Sequence, residues 1–171
     1  DYIWGPLVLT STDGLTWMRV ADPDFPMTDD QSVLWAVGHD GTQWVGVGQN
    51  GLVMTSPDGL DWTRLPTPLG KTPEFYGITF GPGDQIVCVG RVGTVYSTSD
   101  LSTWVDHWSG SLPNLVKMAF NGTQYLAGRD VGRVLISTDG STWTDQFTAG
   151  LSGRITGAVH GMGQIGRASG R

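Results

Sequence analysis

The chain of 171 residues is 39% hydrophobic, 10% aromatic and only 15% charged, which supplies a buried core and excludes a disordered chain. Ten Lys and Arg against 16 Asp and Glu leave a formal charge of -6, which repels a phosphate backbone and excludes nucleic acid as an expected partner. Fifteen of the acids are Asp, Glu74 is the only Glu and 26 residues are Gly, a balance that disfavours helix and favours strands joined by turns.

In chain order, residues 1–20 hold the tail of one strand, a whole strand, a turn from Ser11 to Trp17 and the strand that starts at this Trp. Residues 21–33 read as a long loop in which Asp22, Asp24, Asp29 and Asp30 stand beside Pro23 and Pro26. Their spacing does not match an EF-hand calcium loop, so a solvated acidic loop is expected. Three longer units follow, 34–65, 75–108 and 115–147. Each opens on a short apolar segment (Leu34 to Gly38, Tyr76 to Phe80, Leu115 to Phe120) that runs into Asp40-Gly41, Pro82-Gly83 or Asn121-Gly122. Asp-Gly and Asn-Gly mark hairpins because the tight turn needs positive φ. The second strands are Trp44 to Gly48, Ile86 to Gly90 and Tyr125 to Gly128. After a Gly-bounded turn the third are Leu52 to Thr55, Thr94 to Ser97 and Arg133 to Ile136, and the fourth start at Trp62, Trp104 and Trp143. At the end, Ile155 to Gln164 aligns with a first strand and Ile165 to Arg171 with a second.

The units repeat. One heptapeptide occurs four times, at 11–17, 56–62, 98–104 and 137–143, always with Trp four residues after Asp. The Asp residues 13, 58, 100 and 139 are 45, 42 and 39 residues apart, the period of a four-stranded propeller blade. Gln43, Gln85 and Gln124 run in phase with them, each 15 residues before the next motif Asp. Four antiparallel strands joined by hairpins, with a long crossover to the next unit, predict an all-β propeller with no helix longer than about two turns. We read residues 1–171 as a single domain of about four blade equivalents, with a composite or truncated blade from 1–20 plus 155–171. Two readings stand: a four-bladed ring closed by that composite blade, or part of a larger propeller of six to eight blades.

The repeated turn resembles the Asp-box, or bacterial neuraminidase repeat, through Ser11, Asp13 and Trp17; Ser56, Asp58 and Trp62; Asp100 and Trp104; and Ser137, Asp139 and Trp143. It is one residue shorter than the family pattern, and Leu101 stands where the other copies have Gly14, Gly59 and Gly140. The resemblance implies a fold similar to sialidases, to photosystem II assembly factor-like propellers and to many phage and secreted bacterial proteins, in an extracellular or virion setting. It carries no activity across. A structural role needs no ligand: the carboxylate and the preceding hydroxyl accept backbone N–H groups across the turn, and the Trp packs on the adjacent blade.

No catalytic residue, cofactor or metal site is expected. Gly46 to Gly51 matches the Gly-x-Gly-x-x-Gly dinucleotide pattern, but a strand follows where that motif needs a helix. Cys88, the only cysteine, forms no intramolecular disulfide and is expected in the core. His39, His107 and His160 lack metal-ligand spacing, and His39 and His160 share a turn-stabilising column. No apolar run approaches the ~18 residues of a membrane span and the first residues lack a signal-peptide pattern, so no membrane insertion is expected. A sialidase site would need three converging arginines. Arg91 and Arg129 fall in turns near an axis, but Arg154, Arg167 and Arg171 do not complete the set, and Tyr96 and Tyr125 read as strand aromatics.

Function is expected on one rim. Crossovers and second-to-third-strand turns emerge together there; all length variation lies in the crossovers, and the turns carry unlike residues: Trp4, Gln49, Arg91, Arg129 and Asp130. Variable loops on a rigid scaffold are where recognition residues sit. The reading is a non-enzymatic binding or assembly module for a glycan or protein partner, with further blades or a homo-oligomer as its wider setting. The alternatives are a fragment of an Asp-box glycoside hydrolase and an assembly factor for a pigment or membrane complex.

Overall fold

In the computed structural model, the described residues are 8–20, 33–66, 72–107, 114–129 and 133–146, with the backbone of 154–161 and 164–170. The strands are β1 (Leu9–Thr10), β2 (Met18–Arg19), β3 (Leu34–His39), β4 (Trp44–Gly48), β5 (Val53–Ser56), β6 (Thr63–Arg64), β7 (Phe75–Phe80) and β8 (Ile86–Gly90). They continue with β9 (Val95–Thr98), β10 (Val105–Asp106), β11 (Leu115–Phe120), β12 (Tyr125–Arg129), β13 (Val134–Ser137), β14 (Thr144–Gln146), β15 (Arg154–Gly161) and β16 (Gln164–Gly170). Three four-stranded antiparallel sheets result: blade I is β3 to β6, blade II β7 to β10 and blade III β11 to β14. β1–β2 and β15–β16 are two-stranded sheets, and no ladder joins them among the described residues. The only helical segments described are single 3-10 turns at Gln49–Gly51 and Arg91–Gly93.

The first strands pack side by side in chain order, β3 on β7, β7 on β11 and β11 on β15, as the inner strands of successive blades do. Each carries a bulge at the same place, the register shifting at Trp35, Tyr76, Val116 and Thr156. An extra residue bends a strand and increases its twist, and its recurrence marks β15 as a fourth inner strand.

The core lies between sheets. Val45, Val47 and Val53 of blade I pack with Phe75, Ile86, Cys88, Tyr96 and Leu101 of blade II. Val87, Val89 and Val95 of blade II pack with Leu115, Met118, Tyr125, Ala127 and Leu135 of blade III. Alternate residues of β8 therefore serve opposite neighbours, which is why Ile86 to Val89 is unbroken apolar sequence. Burial of Cys88 pushes its thiol far above the ordinary range. Val8 and Val20, flanking β1 and β2, pack on Leu52, Met54 and Trp62 of blade I.

The starts of the third and fourth strands differ from expectation. The third strands begin one residue late, because Leu52 and Thr94 still belong to the preceding turns, their N–H groups bonding the carbonyls of Gln49 and Arg91 at 3.0 Å. The fourth strands begin after the Trp, because its indole is tied back into the turn: Trp62 Nε1 donates to Gly59 O at 3.0 Å, and Trp104 and Trp143 donate to Leu101 O and Gly140 O at 3.2 Å.

Candidate functional site

The heptapeptide turns are built from their own side chains. Asp13, Asp58, Asp100 and Asp139 each accept two backbone N–H groups on Oδ1, from the second and third residues beyond, at 2.7–3.1 Å. Ser11, Ser56, Thr98 and Ser137 accept the N–H of Gly14, Gly59, Leu101 and Gly140 at 2.8–2.9 Å. The N–H groups of Thr16 and Leu15 pull the Asp13 carboxyl down to about 2, and the N–H groups of Thr142 and Ser141 hold Asp139 well below the usual range. A carboxylate committed in this way is a turn element. Trp62 is buried and Trp104 and Trp143 are half-buried, but Trp17 is 59% exposed, a correction to the expectation that every motif Trp packs on a neighbouring blade. His39 steadies its hairpin as expected, Nδ1 accepting the Gly41 N–H at 3.0 Å.

On the rim of the crossovers, blade II carries a pocket of about 240 Å³ lined by Thr72, Pro73, Glu74, Arg91, Val92, Thr94, Tyr96 and Asp106. Antiparallel pairing of β9 with β10 sets Tyr96 opposite Asp106, and the Tyr96 hydroxyl donates to Asp106 Oδ2 at 2.9 Å. Burial, then the hydrogen bond and charge of Asp106, push the Tyr96 phenol up to about 12, so it stays protonated near neutral pH. Glu74 enters from the crossover. Its carboxylate accepts Arg91 Nη1 at 3.0 Å on Oε1 and the Tyr76 hydroxyl at 2.8 Å on Oε2. The backbones also meet, Arg91 N–H donating to Glu74 O at 3.0 Å. Gly90 permits that approach, since a Cβ there would lie 1.7 Å from Glu74 O.

The turn itself is strained. Val92 has φ of 53°, a conformation that costs a β-branched residue, and its N–H is held by Asn114 Oδ1 at 2.9 Å. Asn50, at φ of 56° in blade I, fills the equivalent place without that penalty. The Arg91 side chain is 60% exposed, so the guanidinium is steered by Glu74 on one side and open to solvent on the other. The pocket thus presents one cation paired with the Glu74 carboxylate, and a protonated phenol paired with the Asp106 carboxylate.

Of the five residues expected to bind, Trp4 and Asp130 lie outside the described residues. Gln49 occupies the corresponding turn of blade I, its N–H on Val33 O at 2.8 Å, away from the pocket lining. Arg91 lines the pocket. The placement of Arg129 in a turn is corrected: it is the last residue of β12, paired with Leu115, at the register position held by Gly48 and Gly90 in the other blades. It is 5% exposed. Its Nη1 reaches across the sheet to Asp145 Oδ2 of β14, which Arg133 also engages, Nε to Oδ1 at 3.1 Å and Nη2 to Oδ2 at 3.0 Å. Glu74, Tyr96 and Asp106 were missed as site residues; the single Glu in the chain, directly before an inner strand, was the available signal.

Neither a family model nor a curated protein sequence matches the chain. Solved structures do. YCF48 from Cyanidioschyzon merolae is similar over 95% of this chain and 57% of its own, with a TM-score of 0.64 and 21% identity. Virginiamycin B lyase from Staphylococcus aureus, inactive through H270A and with quinupristin, gives 0.69 and 14% over 95% of this chain and 56% of its own. YCF48 bound to D1 peptide gives 0.61 and 17% over 72% and 42%. The chain spans about half the length of these structures. The similarity establishes the β-propeller fold.

Proposed function

We propose that the chain is a non-catalytic binding module that recognises a segment of a protein partner at the Arg91 pocket. The observation that carries this reading is the Arg91–Glu74 arrangement: a guanidinium fixed by an ion pair and a backbone contact, on a strained turn, facing an open pocket. A peptide presents donors and acceptors in alternation, which suits a lining of one cation and the acceptors Glu74 and Asp106 better than a wholly anionic ligand does. Support from likeness is at the level of fold: one of the similar propellers is a YCF48 bound to a D1 peptide. The protonated Tyr96 is the opposite of an activated phenolate, and the guanidinium of Arg129 is engaged by Asp145, which speaks against the glycosidase alternative.

The test is a peptide array and a glycan array probed in parallel with the wild type and Arg91→Ala. The expected result is a set of peptides bound by the wild type and lost by the variant, with unfolding free energy changed by no more than ~0.5 kcal/mol, since the side chain removed is 60% exposed. Equal peptide binding by both proteins, or binding confined to glycans, refutes the reading.

A further inference from the structure

Blades II and III are locked on the opposite rim by a side chain that links them. Gln85 of blade II donates from Nε2 to the carbonyl of Asp139 in the blade III turn at 3.0 Å, and its Oε1 accepts the Tyr125 hydroxyl at 2.5 Å. Two glycines make room. A Cβ on Gly81 would lie 1.6 Å from the Tyr125 hydroxyl, and one on Gly140 would lie 3.0 Å from Gln85 Nε2.

Hairpin and strand register place Gln43, Ile86, Asp40 and Leu101 at the corresponding positions between blades I and II. Gln43 and Asp100 repeat Gln85 and Asp139, but Tyr125 and the two glycines are replaced there, by Ile86, Asp40 and Leu101. Ile86 ends short of where a tyrosine ring extends. Leu101, at φ of 60°, brings the Cβ that Gly140 lacks and packs into the core. The blade II hairpin is also a residue longer, with Asp84 at φ of 61°. The Gln43 side chain donates to the Asp40 carboxylate of its own hairpin, an amide N–H bond that leaves the carboxamide oxygen as its acceptor. All of these residues line one cavity of about 310 Å³, whose apolar side is Phe80, Ile86 and Leu101.

We propose that this cavity binds a tyrosine side chain of a partner polypeptide, which supplies between blades I and II what Tyr125 supplies between II and III. The ring lies on Ile86, Leu101 and Phe80, and the hydroxyl donates to Gln43 Oε1. Because Asp40 carries a Cβ where Gly81 has none, the entering ring sits further toward the rim than that of Tyr125. Asp40, Asp84 and Asp100 also line the opening and select the neutral phenol over a carboxylate. The site is on the rim opposite the Arg91 pocket and does not depend on the function proposed there.

The experiment is an NMR titration of the labelled chain with p-cresol, with toluene as the ring lacking a donor. The expected result is saturable shifts at the Gln43 carboxamide and the Ile86 and Leu101 methyls, with toluene about fivefold weaker, the worth of one neutral hydrogen bond. The double variant Asp40→Gly, Ile86→Tyr places a tyrosine of the chain itself in the cavity and is expected to lose p-cresol binding. Gln43→Leu, a change at a half-buried position on the hairpin, is expected to bind p-cresol and toluene alike and decides the matter if the double variant does not fold. Absence of saturable shifts by about 10 mM p-cresol overturns the proposal. So does an undiminished preference for p-cresol in Gln43→Leu, or unchanged p-cresol binding by a folded double variant.

Discussion

Replacing Arg129 separates the worth of a buried cation from the worth of its stem. The side chain is 6% exposed, pairs with an Asp145 that is 30% exposed, and has an Nε with no hydrogen-bond partner among the described residues. Removing one member of a buried pair costs 3–5 kcal/mol when the other charge is stranded. Here Asp145 keeps both contacts to Arg133, so that penalty is largely avoided. What Arg129→Ala does lose is the stem: the Cγ and Cδ methylenes at about 0.8 kcal/mol each, plus the cavity that they and the guanidinium leave, or about 3 kcal/mol in all. Arg129→Met keeps most of that volume and removes a buried N–H lacking a partner, itself a liability of about 1–3 kcal/mol, so it should fall within ~1 kcal/mol of wild type or above it. Urea unfolding at neutral pH measures both, and the alanine variant should melt about 6–12 °C lower. An alanine variant within ~0.5 kcal/mol of wild type would show that Arg129 behaves as a surface residue. A methionine variant as damaged as the alanine would show that the ion pair, not the packing, carries the site.

Tyr125→Phe should cost ~1 kcal/mol by breaking the bond to Gln85, and Gln85→Ala more, since it cuts two bonds; equal midpoints in urea for both variants and the wild type would remove the lock. Val92→Asn, which copies Asn50 into the strained turn, should raise stability by ~1 kcal/mol, and a lower melting temperature would refute the strain. Burial, opposed by the charges of Asp106 and Asp139, lowers the pKa of His107. The folded state therefore binds fewer protons there, and stability should begin to fall as pH drops below about 6.5, the unfolded value, a slope absent from His107→Gln. The depressed turn aspartates add a second loss in both proteins, from about pH 4 downward, because their contribution is whole above the unfolded carboxylate value and disappears toward the folded one. A wild type whose urea midpoint is flat from pH 7 to 5 contradicts the first step.

The repeat was legible because it is carried by local chemistry. An Asp that bonds the two N–H groups beyond it needs nothing from the rest of the chain, and Ile86 to Val89 announces a strand covered on both faces. The site was less legible for a geometric reason. Glu74, Tyr96 and Asp106 meet only when a crossover is laid beside a sheet, and their spacing has no period. Arg129 was misplaced by one residue: Gly128 looked like the end of its strand, but the ladder ends where Gly48 and Gly90 end theirs, one position on. Val92 defeats local rules altogether, since a β-branched residue at positive φ is what turn propensity forbids. The cavity between blades I and II left a trace in Leu101, the single break in the motif, whose meaning depended on knowing that Ile86 and Gln43 lie across from it.

No sheet in this molecule owns its core. Val87 and Cys88 are neighbours in sequence, yet one belongs to the junction with blade III and the other to the junction with blade I. Energetically the chain is a row of coupled units in which free energy resides in the bonds between links more than in the links, the regime of one-dimensional cooperativity. A cavity cut at Cys88 loosens one junction and leaves the next intact, so damage travels by nearest neighbours. The same arithmetic lets a propeller lengthen or shorten by whole blades: each addition brings one new junction of the same kind, and only a unit at the end of the row faces a side with nothing to share.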